Sequence, residues 1–122
     1  MANPFVHVEL HSNDLKKARD FYGKLFDWKL EDTPMPGFGT YTMIGVGEGT
    51  GGGMMVNQDK GTPSHWLAYV LVSDIAASTK KAKQLGAQIA VDVTPVTDMG
   101  LFSIIIDPSG AALGLWETKR KA

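Results

Sequence analysis

The sequence predicts an α+β fold built from two copies of one β-α-β-β-β unit. The first observation is a repeat spaced by 60 residues, in which Val8–Leu15 and Ala68–Ile75 each combine an apolar strand, a polar turn and an acidic residue. In both copies a segment with the apolar spacing of a helix follows. A unit of about 60 residues is marginal as an independent domain, so the two halves should form a single domain with a shared core.

Module one, residues 1–57, is expected to begin with the strand Phe5–His11, whose odd-numbered residues share one face. Asn13 or Asp14 is the expected N-cap of a helix that ends at Leu25. The rest is predicted as extended segments at Trp28–Glu31, Tyr41–Val46 and Met54–Val56, an irregular Pro/Gly stretch at Thr33–Gly37 and a glycine-rich turn at Gly47–Gly53.

Module two, residues 65–122, follows a polar linker predicted at 58–64. Its helix is expected to end before Gly86, a typical residue just beyond a helix C-terminus. Its strands are predicted at Trp66–Val72, Gln88–Val93, Leu101–Ile106 and Ala111–Trp116, and Asp107–Gly110 is predicted as a tight turn.

The composition of the chain argues against several classes of function. A formal net charge of −1 and the lack of a basic stripe argue against nucleic-acid binding. The chain has no cysteine, which rules out disulfides and thiolate chemistry and fits the reducing cytoplasm. No apolar run reaches the length of a membrane span, and the N-terminus does not resemble a signal peptide. We therefore expect a cytoplasmic protein that interacts with neither nucleic acid nor membrane.

The run Gly47–Gly52 matches the letters of the dinucleotide-binding pattern G-x-G-x-x-G. That chemistry requires a helix to begin at the glycines, so that its N-terminus meets a pyrophosphate. The residues from Met54 to Ser64 do not show helical spacing. A hairpin turn whose glycines permit close backbone approach is the better interpretation.

The duplicated unit resembles the vicinal oxygen chelate superfamily, which includes glyoxalase I, bleomycin-resistance proteins and extradiol dioxygenases. Three stretches carry the resemblance: His7–Leu10 leading to Asp14-Leu15, then Ala18–Tyr22 with Phe26 and Trp28, and finally Asp107–Gly110 before the last strand. The resemblance covers essentially the whole chain. It implies that the two modules form a cupped mixed sheet, with helices on the outer face and a cleft inside.

In metal-dependent members of that superfamily, His, Gln or Glu ligands stand on the first and last strand of each module. By register with the motifs, these positions fall on His7, Leu67, Gly114 and a site near Met55. Only His7 carries a donor atom, so we expect no metal cofactor. Nearby donors that could rescue a divalent-metal site are Glu9, His11, His65 and Glu117, although His11 is expected to be solvent-exposed.

The residues on the inner sheet face predict a small-molecule pocket, since aromatic and apolar side chains surround one histidine and one glutamate. His7 and Glu9 are the candidate acid/base residues, because a histidine titrates near neutral pH. The proposed ligand-binding set is His7, Glu9, Tyr41, Met55, Leu67, Tyr69, Phe102, Gly114 and Trp116.

Three functions remain open from the sequence. The first is metal-independent binding or sequestration of a small molecule in the aromatic cleft. The second is a divalent-metal-dependent lyase or dioxygenase of the glyoxalase type, and the third is an assembly or regulatory module without a small ligand. The sequence does not decide whether any reaction is catalysed. Exposed Trp and Met residues predict a homodimer.

Overall fold

The computed structural model describes residues 2–35, 39–59 and 61–119. The strands are β1 Phe5–Ser12, β2 Lys29–Met35, β3 Gly39–Gly45, β4 Gly52–Val56, β5 His65–Leu71, β6 Gln88–Val96, β7 Gly100–Ile106 and β8 Ala112–Thr118, and the helices are α1 Leu15–Leu25 and α2 Ile75–Gln84. The order is β-α-β-β-β twice, which confirms the predicted α+β class and the duplication. No helix within the described ranges is long and apolar enough to cross a membrane.

Each module has a four-stranded mixed sheet with one helix. Strand order is β2-β3-β4-β1 in module one and β5-β8-β7-β6 in module two. The first and last strands of a module pair in parallel, and the other pairs are antiparallel. Contacts group His7–Leu67 into one compact unit, and the residues before and after it into another. The predicted linker, 58–64, therefore groups with module one.

The helices begin where the repeat predicts. The carboxylates of Asp14 and Asp74 accept hydrogen bonds from the backbone N–H groups of Lys17 and Ala77, at 3.1 Å in both cases. These equivalent N-caps satisfy N–H groups that the first helical turn leaves unpaired. Both helices therefore follow the first strand of their module in the same register.

The core of each module lies between its helix and its sheet. In module one, Leu10, Ile44 and Met54 are buried against Leu15, Ala18 and Tyr22 of α1. In module two, Val72, Ile75 and Leu115 form the equivalent cluster. Because side chains alternate along a strand, the odd-numbered residues of β1 lie on the sheet face away from α1. We call this the helix-distal face of module one.

Two predicted boundaries are wrong for the same physical reason. β2 continues through Thr33 and Pro34 to Met35, where an irregular stretch was expected, and β6 passes Val93 to include Pro95. Both strands are at the end of their module's strand order, so each has one side that pairs with none of the described strands. An edge strand accommodates proline because the missing N–H faces away from the ladder. The remainder of the predicted irregular stretch, Pro36 and Gly37, lies outside the described residues.

The glycine-rich segment is partly turn and partly strand. Gly47 and Gly49 have φ values of +88° and +103°, as the predicted turn requires. Gly52 and Gly53 belong to β4, which was expected to begin only at Met54. A strand follows the glycines rather than a helix, so the structure does not provide the helix N-terminus of a dinucleotide-binding motif.

Candidate functional site

A chain of hydrogen bonds lies on the helix-distal face of module one. His7 Nε2 is 2.6 Å from Tyr41 Oη, and the Tyr41 hydroxyl donates to Glu9 Oε2 at 2.6 Å. On the other side of the carboxylate, His11 Nε2 is 2.7 Å from Glu9 Oε1. We call these four residues the His7–His11 network. The direct separation of His7 Nε2 and Glu9 Oε2 is 3.8 Å, so Tyr41 bridges the two groups.

Local sequence explains this arrangement. The strand alternation of β1 places His7, Glu9 and His11 on one face, and β3 brings Tyr41 to the same face. The Tyr41 ring lies directly over Gly53, where an added Cβ would be only 2.0 Å from the hydroxyl oxygen. Gly53 therefore leaves the space in which the tyrosine reaches Glu9.

The network is mostly buried, with one end more accessible. Side-chain exposure is 28% for His7 but 11% for both Glu9 and His11. His11 was expected to be solvent-exposed, and this expectation is wrong, because its ring bonds to Glu9 and lies against the ring of His65. The His65 ring lies 5.0 Å from the His11 ring, and its Nδ1 is 2.8 Å from the carbonyl oxygen of Pro63.

The positions of three protons follow from the geometry. The single hydroxyl proton of Tyr41 is donated to Glu9, so His7 Nε2 must carry the proton that bridges it to Tyr41. An ionised carboxylate only accepts, so His11 Nε2 also carries a proton. Burial lowers the pKa of His7 below 6.5, and the nearby Glu9 charge raises it by a smaller amount. His7 is therefore a neutral imidazole at neutral pH, protonated at Nε2.

The depressed His7 pKa predicts a pH dependence of stability. The unfolded chain takes up the His7 proton first as pH falls, so this contribution is complete above pH 6.5 and is lost as pH falls through the folded-state pKa. Urea unfolding on either side of pH 6.5 should show the wild type losing more stability on acidification than His7→Gln. The glutamine amide can still donate to Tyr41 but does not titrate. Equal losses in both proteins would contradict this assignment.

The predicted site residues form one group in each module. His7, Glu9, Tyr41 and Met55 belong to the helix-distal face of module one, and Leu67 is a buried residue of β5. In module two, Gly114 lies beneath the Tyr69 ring, where an added Cβ would be 2.3 Å from a ring carbon. The Phe102 ring meets the Tyr69 ring edge-on with centroids 6.5 Å apart, and Phe102 is the strand partner of Trp116.

The pairing of the strands changes which residue of module one corresponds to Gly114 of module two. Glu9 pairs with Gly53, and Tyr69, its equivalent in the repeat, pairs with Gly114. The module-one equivalent of Gly114 is therefore Gly53 rather than Met55, which instead corresponds to Trp116. The sequence did not predict this two-residue difference, because the run of glycines does not show where β4 begins.

The donor atoms at these positions do not suit a divalent metal. Leu67, Gly53 and Gly114 have no side-chain donor, while His7 has one. Glu9 and His11 bond to each other, and Glu117 accepts the backbone N–H of Ile75 at 2.8 Å, on the helix side of module two. Across the described ranges, no group of three His, Cys, Asp or Glu residues has metal-binding geometry.

The structure describes one cavity on the helix side of each module. A groove of about 260 Å³ is on the helix side of module one, and Val8, Gly52, Trp28 and Trp66 are among the residues that line it. A second cavity, of about 310 Å³, lies between α2 and β6 and contains Lys80, Lys83 and Asp92 in its wall. The described wall of the module-one groove contains no titratable side chain.

Curated relatives resemble the chain over most of its length. CFP32 of Mycobacterium tuberculosis, whose name marks it as a candidate glyoxylase, is 36% identical over 117 residues, covering 93% of this chain and 45% of CFP32. The anthracycline biosynthesis protein DnrV of Streptomyces peucetius is 27% identical over 127 residues, covering 88% of this chain and 44% of DnrV. This chain thus spans about half the length of the curated relatives it matches.

Solved structures share the fold at low sequence identity. The hypothetical protein BH1468 of Bacillus halodurans has a TM-score of 0.72 at 19% identity, covering 100% of this chain and 99% of that one. Methylmalonyl-CoA epimerase of Mycobacterium tuberculosis has a TM-score of 0.70 at 17% identity, covering 95% and 88%. The family model described as Glyoxalase/Bleomycin resistance protein/Dioxygenase superfamily matches residues 5–115. The chain therefore belongs to this superfamily, as its resemblance to the vicinal oxygen chelate proteins predicted.

Proposed function

We propose that this chain binds a small organic molecule on the helix-distal face of module one, and that binding uses the His7–His11 network instead of a metal ion. The observation that carries the proposal is the graded exposure of the network. Its His7 end is 28% exposed, while Glu9 and His11 at the other end are 11% exposed. Buried polar groups that converge on one accessible side chain are typical of ligand sites.

The donor set supports the metal-free part of the proposal. A catalytic divalent cation needs several nitrogen or oxygen donors that converge at about 2 Å. Of the four positions that supply ligands in metal-dependent relatives, only His7 has a donor. The neighbouring Glu9 carboxylate accepts hydrogen bonds from Tyr41 and His11. We therefore propose that ligand binding does not involve a metal ion.

Aromatic and apolar groups supply the rest of the proposed surface. The His7 and Tyr41 rings are nearly parallel, at 20° with centroids 6.3 Å apart, and Met55 is buried on the same face. A flat organic molecule with at least one polar group matches this composition. The names of CFP32 and DnrV agree with small-molecule chemistry in the family.

A ligand screen tests this function. We expect aromatic compounds with a hydroxyl or carbonyl group to raise the melting temperature, and His7→Ala to abolish the shift. Tyr22→Phe is the matched control, since it removes a hydroxyl of α1 that accepts from Trp66 and lies outside the site. Elemental analysis accompanies the screen. Near-stoichiometric metal that is lost in His7→Ala would overturn the metal-free proposal.

Module one also favours a homodimer, since its helix leaves apolar surface uncovered. No residue of α1 is buried, whereas α2 buries Ile75 and Thr79. Phe21, Leu25 and Phe26 are 59%, 55% and 44% exposed. Contiguous exposed apolar surface of this kind marks an interaction site. The curated relatives are about twice as long, so additional chain is available in them to cover such a face.

Size-exclusion chromatography with light scattering should give twice the mass of one chain. Phe21→Ser with Leu25→Ser should shift the protein to monomer, while Lys16→Ser on the same helix should leave the mass unchanged. A wild-type monomer at high concentration would refute the dimer.

We also propose that the protein is cytoplasmic, since it has no cysteine and the cytoplasm is reducing. Cell fractionation would test this location.

A further inference from the structure

We propose that the groove on the helix side of module one is a second ligand site, which binds an uncharged aromatic molecule of one or two fused rings. Aliphatic side chains and two indole rings line it, among them Val8, Val46, Trp28 and Trp66. Its described wall contains no charged residue and no member of the His7–His11 network. The site therefore does not depend on the binding function proposed for that network.

The groove is open because α1 is too short to cover the whole of β1. The 8 residues of β1 extend about 26 Å, whereas the 11 residues of α1 extend about 16 Å. Only residues 13 and 14 separate the two elements, so the helix turns back over the C-terminal part of β1, where Leu10 belongs to the core cluster. The described groove wall accordingly includes Val8 but no residue of α1.

The first residues of β4 and the residue before it contribute only backbone to the wall. Gly51 and Gly52 line the groove, and an added Cβ would lie 3.0 Å from the Ile44 carbonyl oxygen at Gly51 and 1.9 Å from the Val8 carbonyl oxygen at Gly52. Both neighbours are backbone atoms, so a larger residue is poorly accommodated at either position. Close strand pairing thus keeps side chains out of this part of the groove.

The two indole rings of the wall are held at nearly a right angle. The centroids of the Trp28 and Trp66 rings are 6.3 Å apart, and their planes meet at 77°. Tyr22 contacts both, because its ring stacks on Trp28 with centroids 5.8 Å apart and its hydroxyl accepts from Trp66 Nε1 at 3.3 Å. A flat aromatic ligand can stack on one indole and meet the other edge-on, which are the two arrangements that aromatic pairs prefer.

Volume and charge define the class of ligand. An apolar cavity of about 150 Å³ holds benzene. The groove, at about 260 Å³, can therefore accommodate one or two fused rings. Burying a charge without a partner is costly, and the described wall offers no opposite charge. Phe21, Leu25 and Phe26, which carry the dimer proposal, do not belong to the described wall, so the proposed occupant is a small molecule instead of a second copy of the chain.

Naphthalene and 2-naphthoate test the size and the charge of the ligand, because they share two fused rings and differ in one carboxylate. In nitrogen-15 NMR, naphthalene should shift the indole N–H signals of Trp28 and Trp66 and leave that of Trp116 unchanged. We expect 2-naphthoate to bind about tenfold more weakly, since its charge would be desolvated without a partner.

Variants of the wall test the location of the site. Val46→Phe places a ring in the groove and should abolish naphthalene binding, whereas Val56→Phe, the same substitution at a residue that is 45% exposed and outside the described wall, should bind as the wild type does. Trp66→Leu retains an apolar side chain but loses the aromatic pairing, so its affinity should fall about fivefold. Trp66 is 39% exposed, so this variant tests the site even if Val46→Phe does not fold. Circular dichroism checks the folding of each variant.

The groove and the His7–His11 network are distinguished by His7→Ala, which should bind naphthalene with wild-type affinity. Binding that His7→Ala abolishes and Val46→Phe retains would overturn the groove site and support the function proposed for the network. Unshifted Trp28 and Trp66 signals would also overturn the groove site, and so would equal affinities for the two probes. Binding seen only in the Phe21→Ser, Leu25→Ser protein would show that a second chain fills the groove, which contradicts the proposal.

Discussion

Replacing Gly52 with alanine should destabilise the fold by about 3 kcal/mol, at the upper end of overpacking costs. An added Cβ would lie 1.9 Å from the carbonyl oxygen and 3.0 Å from the carbonyl carbon of Val8. Both are backbone atoms, so no rotamer change can relieve the clash. β1 and β4 would have to separate at Val8–Gly52, where Val8 N–H also donates to the carbonyl of Gly51 at 3.2 Å.

Urea unfolding followed by circular dichroism measures this effect, and the melting temperature should fall by roughly 10 °C. Gly45→Ala is the matched control in the neighbouring strand β3. Its added Cβ would be 3.6 Å from the Lys29 Cβ, an ordinary contact, so its stability should be within about 0.5 kcal/mol of wild type. A Gly52→Ala protein as stable as Gly45→Ala would show that β1 and β4 do not approach this closely.

Gly53 shows why two adjacent glycines have different roles. Its added Cβ would meet the Tyr41 ring rather than backbone. Substitution there would displace the tyrosine from the His7–His11 network while leaving the strand pairing in place. The sequence presents both residues as part of one glycine-rich turn. Their roles depend on which atoms of β1 and β3 lie opposite, and those neighbours are distant in sequence.

Features set by local sequence were predicted well. Alternation assigned the odd-numbered residues of β1 to one face, and the repeat located Asp14 and Asp74 at equivalent helix starts. A period of two residues and an N-cap depend only on nearby positions, so they can be inferred from one chain. The same reasoning placed Tyr69 and Phe102 on one face of module two, where their rings are in contact.

Features that depend on contacts between residues distant in the sequence were not predicted. Pro34 and Pro95 lie in strands because β2 and β6 are edge strands, a property of topology that the local pattern does not contain. The bond between Tyr41 and Glu9 joins residues 32 positions apart. His11 was expected at an exposed strand end, but its ring lies against that of His65, which is 54 positions away in the sequence.

Replacing Glu9 with alanine should destabilise the protein by about 2–3 kcal/mol, because it removes the acceptor shared by Tyr41 and His11. The two bonds measure 2.6 and 2.7 Å, and the Glu9 residue is 8% exposed. Hydrogen bonds to a charged group contribute more than neutral ones, and a buried donor that loses its acceptor adds a desolvation cost. Removal of the buried charge offsets part of this loss.

Glu9→Gln should cost only about 1 kcal/mol, because its amide oxygen can accept from Tyr41 and its amide N–H can donate to a His11 ring nitrogen. Denaturant unfolding of both variants at neutral pH measures the difference in the free energy of unfolding. Glu31→Ala, at an exposed position, is the control and should be within about 0.5 kcal/mol of wild type.

A double-mutant cycle of Glu9→Ala with Tyr41→Phe should give a coupling free energy of about 1–2 kcal/mol, since Glu9 and Tyr41 are in direct contact. If Glu9→Ala is as stable as wild type, the desolvation cost of the carboxylate cancels its hydrogen bonds. In that case the network would be retained for the chemistry of the site, because it would contribute nothing to the stability of the fold.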